Sequence, residues 1–451
     1  MGQKTGGIGS KYAWVIAVVS LFLGLGTVVG TQTWGFVAPF IAEEFGVSVA
    51  SITIATSLYG LFQMGLGFIM GPIGQRLGIR ITCTAGAVGL GLFIFLAGTI
   101  ATSTTAVIIL YGLAGCFASI CGGCMVPLIF SNWFAPNMRG KGMVINTLGG
   151  SGGGMLLGIV APQLLLNGGW HSTMRYLGLF IIVGGIIWFL VARDNPAKIG
   201  TVPLGADPHA AVEKAIEKTD EEKAAEKAAQ RTALFSVLKM PITWLFGIMN
   251  ALWYCYFTAK AAFQATALLE VGYDIALAGA VSSITIFILM FSQIVCSTLS
   301  DHFSRKKIFS ILNIGSAVAL IAIFFMLQTA PDNLVVFFAP FVVLGLFSGN
   351  APLLQNLMGE IFPPNLRGAG PGVVSTITLL GTFGGPLLAA AFVNLTGSAV
   401  TVYIYCGVCL FIAGLISLIF FPNTGGKYGD PMAKKYEEEK AAKQAAEAPE
   451  A

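Results

Sequence analysis

Apolar runs of about 20 residues or more recur along this chain. They constrain the fold tightly, because about 20 helical residues cross the hydrocarbon of a bilayer. The runs lie at roughly 13–38, 50–73, 80–100, 104–131, 142–166 and 174–193. After a polar stretch they resume at roughly 242–268, 276–299, 307–328, 333–361, 368–394 and 400–421. They predict an all-α integral membrane protein with about twelve transmembrane helices in two sets of six. Runs of this length exclude a β-barrel, whose strands need only about 9–11 residues. Composition agrees: 55% of the 451 residues are apolar and 10% are charged, whereas soluble domains carry about 25% charged residues. The 57 glycines suit helices that pack backbone to backbone.

The placement of Lys and Arg sets the expected orientation. With both termini in the cytoplasm, the inner segments hold Lys4, Lys11, Arg76, Arg80, Arg139, Lys141, the basic residues of 193–239, Arg305, Lys306, Lys307, Arg367 and the lysines of the tail. The outer loops hold Arg175, near His171, and the acidic Glu43, Glu44, Glu270, Asp274 and Asp332. The expected location is the cytoplasmic (inner) membrane. A short polar segment leads directly into the first span, so no cleaved signal peptide is expected. The domain reading is a first six-helix bundle over 1–193, a cytoplasmic linker over 194–240, a second bundle over 241–422 and a cytoplasmic tail over 423–451. Within the linker, 207–231 is rich in Ala, Glu and Lys with opposite charges at helical spacing, the pattern of a solvated amphipathic helix. It reads as a connector between the halves, or else as a regulatory partner site. All eight cysteines lie in apolar runs. Cys121/Cys124 and Cys406/Cys409 are Cys-x-x-Cys pairs, but without the further His or Cys of a metal set they read as small apolar helix residues.

The two sets resemble each other at an offset of about 226–228 residues. Gly71-Pro-Ile-Gly-Gln75-Arg76-Leu-Gly78-Ile-Arg80 follows the second span, and Ser297-Thr-Leu-Ser-Asp301-His302-Phe-Ser304-Arg305-Lys306 follows the eighth. Trp133-Phe-Ala-Pro136-Asn137-Met-Arg139-Gly140 follows the fourth, and Ile361-Phe-Pro-Pro364-Asn365-Leu-Arg367-Gly368 follows the tenth. These loops resemble those of the major facilitator superfamily, whose Gly-x-x-x-Asp-Arg-x-Gly-Arg-Lys motif stands between helices two and three with a copy between helices eight and nine. The resemblance implies two pseudo-symmetric six-helix bundles, the major facilitator fold, with a central cavity and alternating access by rocking of the halves. It also implies a cytoplasmic latch of charges that favours the outward-open state. Here the acidic position is Gln75 in the first loop and Asp301 in the second, and Glu360 ends the tenth span where the first half has Asn132. The expected latch is therefore asymmetric. Asp301 pairs with Arg139, Glu360 pairs with Arg305, and Arg367 faces the neutral Gln75, while Arg76 and Arg80 complete the gating set. Anchoring of the basic residues to lipid headgroups is the alternative.

In that fold helices one, four, seven and ten line the cavity. The stretch Asn250 to Gln264, in the seventh span, holds Lys260, the one clearly charged residue that falls well inside a run and not at its end. Trp253, Phe257, Lys260 and Gln264 recur at helical spacing and share one face. A cation in hydrocarbon is costly and usually faces an aqueous cavity or a partner. The candidate substrate-binding set is Lys260, Trp253, Phe257, Tyr254, Gln264 and Asn250 from helix seven, Thr31, Gln32 and Trp34 from helix one, and Asn350 from helix ten. No acidic residue lies deep in a span, which argues against a carboxylate proton relay and against a cationic substrate. A cation among aromatics and amides suits an organic anion, with Lys260 for the carboxylate and Trp253 or Phe257 for the carbon body. Alternatively, Lys260 sits near the outer surface and snorkels to water. No enzyme constellation, cofactor or metal site is expected, since His171, His209 and His302 fall in loops or at helix ends.

The Trp133-Phe…Arg139-Gly140 stretch, opening into a Gly-rich fifth span, resembles the oxalate:formate antiporter and monocarboxylate transporter branch. That branch carries an Arg in helix eight. The span Ala276 to Leu299 has none, and helix eleven has no Lys, which disfavours oxalate-like dicarboxylates. Gly381-Thr-Phe-Gly-Gly385-Pro386 in helix eleven resembles a Gly-x-x-x-Gly-Pro motif that drug:proton antiporters carry in helix five; a kinked packing helix is the simpler reading. The expected function is secondary transport of a small organic anion, a monocarboxylate for preference, by proton symport or anion exchange. The expected partners are that anion, the lipid bilayer and a co-transported proton or counter-anion, with no nucleic acid. Two rivals stand: an exporter of neutral or amphipathic compounds, and a transporter-like sensor that binds without transport.

Overall fold

Short polar side chains start several of the helices, and apolar length carries them across. The computed structural model describes residues 8–66, 77–123, 125–205, 232, 234–329, 333–363, 366–367, 369–425, 428, 432–434 and 436–438. The expected amphipathic stretch 207–231 and the loop residues Gln75 and Arg76 lie outside the described residues. In the first half the main helices are α1 (Ile8–Phe45), α2 (Val49–Ile52), α3 (Ile54–Gly65), α4 (Ile79–Ile100), α5 (Thr104–Ala118), α6 (Val126–Trp133) and α7 (Pro136–Val191). In the second half they are α8 (Pro241–Glu270), α9 (Ile275–His302), α10 (Arg305–Thr329), α11 (Leu334–Phe347), α12 (Ala351–Glu360), α13 (Gly370–Thr396) and α14 (Val402–Phe420). The Ser103 hydroxyl accepts the Ala106 N–H at 3.3 Å and starts α5, and Asn333 Oδ1 accepts the Val335 N–H at 2.9 Å and starts α11. Asp274 Oδ1 does the same for α9, accepting the Leu277 N–H at 2.6 Å. Each supplies an acceptor to a first-turn donor that the helix itself leaves open.

Nine helices among the described residues are long and apolar enough to cross a membrane. One of them belongs to α7, which carries two spans. Its backbone leaves the helical region at Gly169 (φ 67°, ψ −178°), a conformation open essentially to glycine alone. The two arms are the runs expected at 142–166 and 174–193. The shorter apolar helix Val49–Gly65 and the more polar α8 account for the rest of the twelve. α8 is long enough to cross but is interrupted by Asn250, Lys260 and Gln264. Large apolar side chains such as Ile81, Phe291, Phe325 and Leu380 point outwards, an arrangement suited to lipid and not to water.

The chain divides into two compact units. The first comprises Met1–Glu217, Thr258–Phe287 and Pro386–Val400, and the second Lys218–Phe257, Ile288–Gly385 and Thr401–Ala451. In the first unit α7 packs along α1 and α4. The approach to α4 is backbone to backbone, since a Cβ at Gly178 would sit 2.6 Å from the Gly91 carbonyl oxygen. In the second unit α10 packs against α14 and α11. Phe246, Met249, Phe309, Leu353, Leu357, Phe362 and Phe421 form part of one buried cluster there.

The chain following the last helix of each set straps the end where the basic loops lie. Asp194 Oδ1 accepts the Arg80 N–H at 2.8 Å, Asn132 Nδ2 donates to the Asp194 carbonyl at 3.2 Å, and Leu204 exchanges backbone bonds of 2.9 Å with Trp133 and Ala135. In the second unit Ser304 Oγ donates to Asn423 Oδ1 at 2.9 Å, the Arg305 N–H donates to the Thr424 carbonyl at 2.8 Å, and Lys306 Nζ donates to the Phe421 carbonyl at 2.5 Å. The repeat read from the loops thus extends to a matching tie in each half.

Candidate functional site

Both the fourth and the tenth spans are broken, at equivalent places. The fourth runs as α5, widens into a π turn over Ser119–Gly123, and resumes as α6 with Pro127 in its first turn. The tenth runs as α11, stops at Ser348 (φ −84°, ψ 2°), and resumes as α12 with Pro352 in its first turn. Proline lacks the N–H that would continue the ladder, so each break frees backbone polar groups inside a membrane span. Such groups persist only where protein or a water-lined cavity satisfies them, and paired breaks in repeated halves are a pointer to a binding site. Sequence reasoning passed over them. The signal was present as Cys121-Gly-Gly-Cys-Met-Val-Pro127 and Ser348-Gly-Asn-Ala-Pro352 at the repeat offset.

In the second unit the break presents Asn350. It is buried, its Oδ1 accepts the Trp253 Nε1–H at 3.1 Å, and its Nδ2 donates to Asn313 Oδ1 at 3.0 Å. Asn313 in turn donates to the Phe309 carbonyl at 2.8 Å. Trp253 stacks on Phe257 at 5.5 Å with the rings 7° from parallel, and Tyr254 stands edge-on to Trp253 at 5.1 Å. Asn250, one turn earlier on α8, donates to Thr378 Oγ1 at 2.8 Å. Its Oδ1 is buried without a hydrogen-bond partner among the described residues, an acceptor left open in a place where that is costly. Thus the structure joins Trp253 to Asn350 and sets Tyr254 and Phe257 beside them. Asn313, bonded to Asn350, and Thr378, bonded to Asn250, lie on helices that the cavity expectation left out.

The first unit holds the remaining candidates. Gln264 is buried and donates to Ser282 Oγ at 2.8 Å. Lys260 is half-buried, ten residues before the end of α8 at Glu270, which is about 15 Å at 1.5 Å per residue. It therefore lies in the half of α8 nearer the acidic loops and well short of the helix end. Beside it, α1 crosses α8 so closely that a Cβ on Gly35 would collide with the Ala261 carbonyl. On α1, Thr31 Oγ1 donates back to the Thr27 carbonyl at 2.8 Å. Gln32 borders the glycines of α7, where a Cβ on Gly154 would lie 3.0 Å from its Oε1. Trp34 is fully buried against Tyr111, with centroids 4.8 Å apart. Thr27 borders the π turn, since a Cβ on Gly122 would lie 2.6 Å from its Oγ1.

Of the gating set, Arg305 Nη1 and Glu360 Oε1 form an ion pair with both side chains mostly buried. Arg367 Nε donates to the Phe362 carbonyl at 3.1 Å. Arg80 lies against its own unit: its Nε donates to the Phe189 carbonyl at 2.7 Å, and its guanidinium sits 4.3 Å from the Phe189 ring centroid. The side chains of Arg139 and Asp301 lie outside the described residues, as do Gln75 and Arg76. Asp194, which caps the chain at Arg80, supplies a carboxylate to the basic end of the first half that loop comparison had missed.

Repeated sets of six membrane helices, with interrupted helices at matching positions, define a polytopic membrane protein built by duplication. The family model described as Major Facilitator Superfamily matches residues 14–270 and 255–446, and the chain belongs to that family. It is 25% identical over 199 residues to the membrane sensor protein UhpC of Salmonella typhimurium, covering 44% of this chain and 45% of that protein. It is 29% identical over 167 residues to the putative glycerol-3-phosphate transporter 1 of Arabidopsis thaliana, covering 36% and 31% respectively. Over 191 residues it is 25% identical to the 4-hydroxybenzoate transporter PcaK of Pseudomonas putida, covering 41% and 39%. The chain thus spans less than half the length of these relatives. Among solved structures it resembles a D-xylose-proton symporter with a TM-score of 0.69 at 16% identity, covering 92% of this chain and 98% of that one. At that identity the likeness speaks to the fold alone.

Proposed function

We propose that this chain is a secondary active transporter of a small organic anion, with a monocarboxylate as the preferred class, working by alternating access of halves 1–193 and 241–422. The observation that carries the anion is Lys260, a half-buried cation about 15 Å inside the end of α8. A cation at that depth pairs within the protein or faces an aqueous cavity, and a substrate carboxylate suits such a position. On the same helix Trp253, Tyr254 and Phe257 offer aromatic surface to a carbon skeleton, and Asn250 offers an open amide oxygen to a hydroxyl or N–H donor. Relatives named for 4-hydroxybenzoate and for glycerol-3-phosphate support this class, and relatives named for riboflavin and trehalose support the neutral alternative. The oxalate:formate and monocarboxylate branch, an inner-membrane location with cytoplasmic termini, and coupling to a proton or counter-anion belong to the same proposal. So does the latch at the basic end, to which the Arg305–Glu360 pair would contribute. The test is uptake of labelled benzoate, 4-hydroxybenzoate and lactate by proteoliposomes. Saturable uptake of at least one is expected, with at least a tenfold loss in Lys260→Ala and partial retention in Lys260→Arg. Saturable uptake unchanged in Lys260→Ala would remove Lys260 from the site.

The match to a membrane sensor protein favours a second reading, in which the chain binds such an anion without moving it. Stabilisation by the anion with no flux would select that reading.

A further inference from the structure

The end of the first unit where the acidic loop residues lie carries a side-chain cluster that the transport proposal does not use. Glu44 is the penultimate residue of α1, and Gly98 lies in the last turn of α4. His171 follows the Gly169 break of α7 and stands between them. Its Nε2 is 3.2 Å from Glu44 Oε1 and its Nδ1 is 3.2 Å from the Gly98 carbonyl oxygen. The other Glu44 oxygen accepts the Trp170 Nε1–H at 2.6 Å, and the Trp170 and His171 rings stack at 3.7 Å, 26° from parallel. A Cβ on Gly98 would lie 2.6 Å from the His171 carbonyl oxygen, so the backbones are already in close contact.

Both ring nitrogens of His171 thus face oxygen acceptors. A neutral imidazole has one N–H and turns a lone pair toward the second acceptor; only the imidazolium donates to both. Three further features favour the cation. The Glu44 carboxylate is an opposite charge in hydrogen-bond contact. The ends of α1 and α4 are negative dipole ends, and the Gly98 carbonyl is among those that a helix leaves open. The Trp170 face attracts a stacked cation. The other charged or titratable groups on the adjoining turns are Glu43 on α1, and Arg175 and Tyr176 on α7; the last turn of α4 has none. Arg175 is turned to the His171 carbonyl at 3.3 Å and to Ser172 Oγ at 3.1 Å.

We propose that His171, when doubly protonated, clasps the ends of α1 and α4 through Glu44 and Gly98, and that with one proton fewer it donates to only one of them, so that the bridge between the two helix ends opens. α1 carries Thr27, Thr31 and Gln32 and meets Ala261, next to Lys260, at Gly35. Proton activity on that side of the membrane therefore acts on a helix of the candidate site, whether the protein transports or senses.

The experiment uses the full chain in nanodiscs without substrate, followed across the imidazole range of pH. An imidazolium quenches an indole stacked on it, so part of the tryptophan emission is expected to fall on acidification. That component is lost in Trp170→Phe and in His171→Gln. Hydrogen exchange of amides 36–45 or 91–100, corrected for its intrinsic pH dependence, is expected to be about two- to fivefold slower in acid than in alkali, the scale of a partly exposed ion pair. The difference vanishes in His171→Gln. Should His171→Gln fail to fold, Glu44→Gln provides the second arm: it keeps the quenching but loses the exchange difference. A wild-type protein without the Trp170 component would overturn the proposal. So would a His171→Gln or Glu44→Gln protein that keeps the exchange difference.

Discussion

At the residue scale, Asn350 shows why a lone amide in a membrane span is informative. A side-chain amide accepts and donates at once, and Asn350 does both, toward Trp253 and Asn313. Alanine there leaves an indole N–H and an amide oxygen buried without partners. Asn350→Ala is expected to lose about 1–3 kcal/mol of stability, read by thermal denaturation in detergent; an unchanged midpoint would show that the amide chain is not structural. Trp253, Asn250 and Asn350 were each legible as polar or aromatic residues on cavity helices. Their partners on other helices were not, because helical spacing orders residues along one helix and says nothing of which residue on another helix meets them. Asn313 was invisible for the same reason. The depth of Lys260 needed the end of α8 to be located before it could be measured.

At the element scale, helix approach is decided by small residues. Within the first unit, α7 and α9 meet at Gly158 and Gly279: a Cβ at Gly279 would collide with the Gly158 carbonyl, and Ser283 Oγ donates to the Met155 carbonyl at 2.8 Å. Gly279→Val is expected to force these helices apart. A cysteine placed at Ser283 would then react several-fold faster with a water-soluble thiol reagent than in the glycine background; equal rates would mean that the contact is not held closed. The paired breaks of the fourth and tenth spans belong to this scale as well. Hydropathy reads across them without interruption, because cysteine, glycine, methionine and proline are apolar enough to extend a run. The loss of the backbone ladder shows only once the chain is folded.

At the scale of the molecule, an even number of spans puts both termini on one side, and the proposal from the Lys and Arg bias is that this side is the cytoplasm. Reporter fusions test this. Green fluorescent protein after Leu204 or Gly425 is expected to fluoresce, and alkaline phosphatase after Val47 or Gly272 to be active; fluorescence from the Val47 fusion would reverse the orientation. The straps Asp194–Arg80 and Asn423–Ser304 each lie beside the basic loops of their own half. Apolar runs, charge bias and the repeated loops determined by themselves that this chain is a twelve-helix membrane protein of duplicated design. Those properties are written along the chain, since each span must satisfy its own backbone within about 20 residues of one another. The Arg305–Glu360 pair was expected from the repeated loops; only the tertiary structure decided that Asn350 bridges Trp253 and Asn313, and that His171 faces two acceptors. Such contacts join residues from about 40 to about 130 positions apart, and their geometry is set by helix crossings that local patterning does not encode.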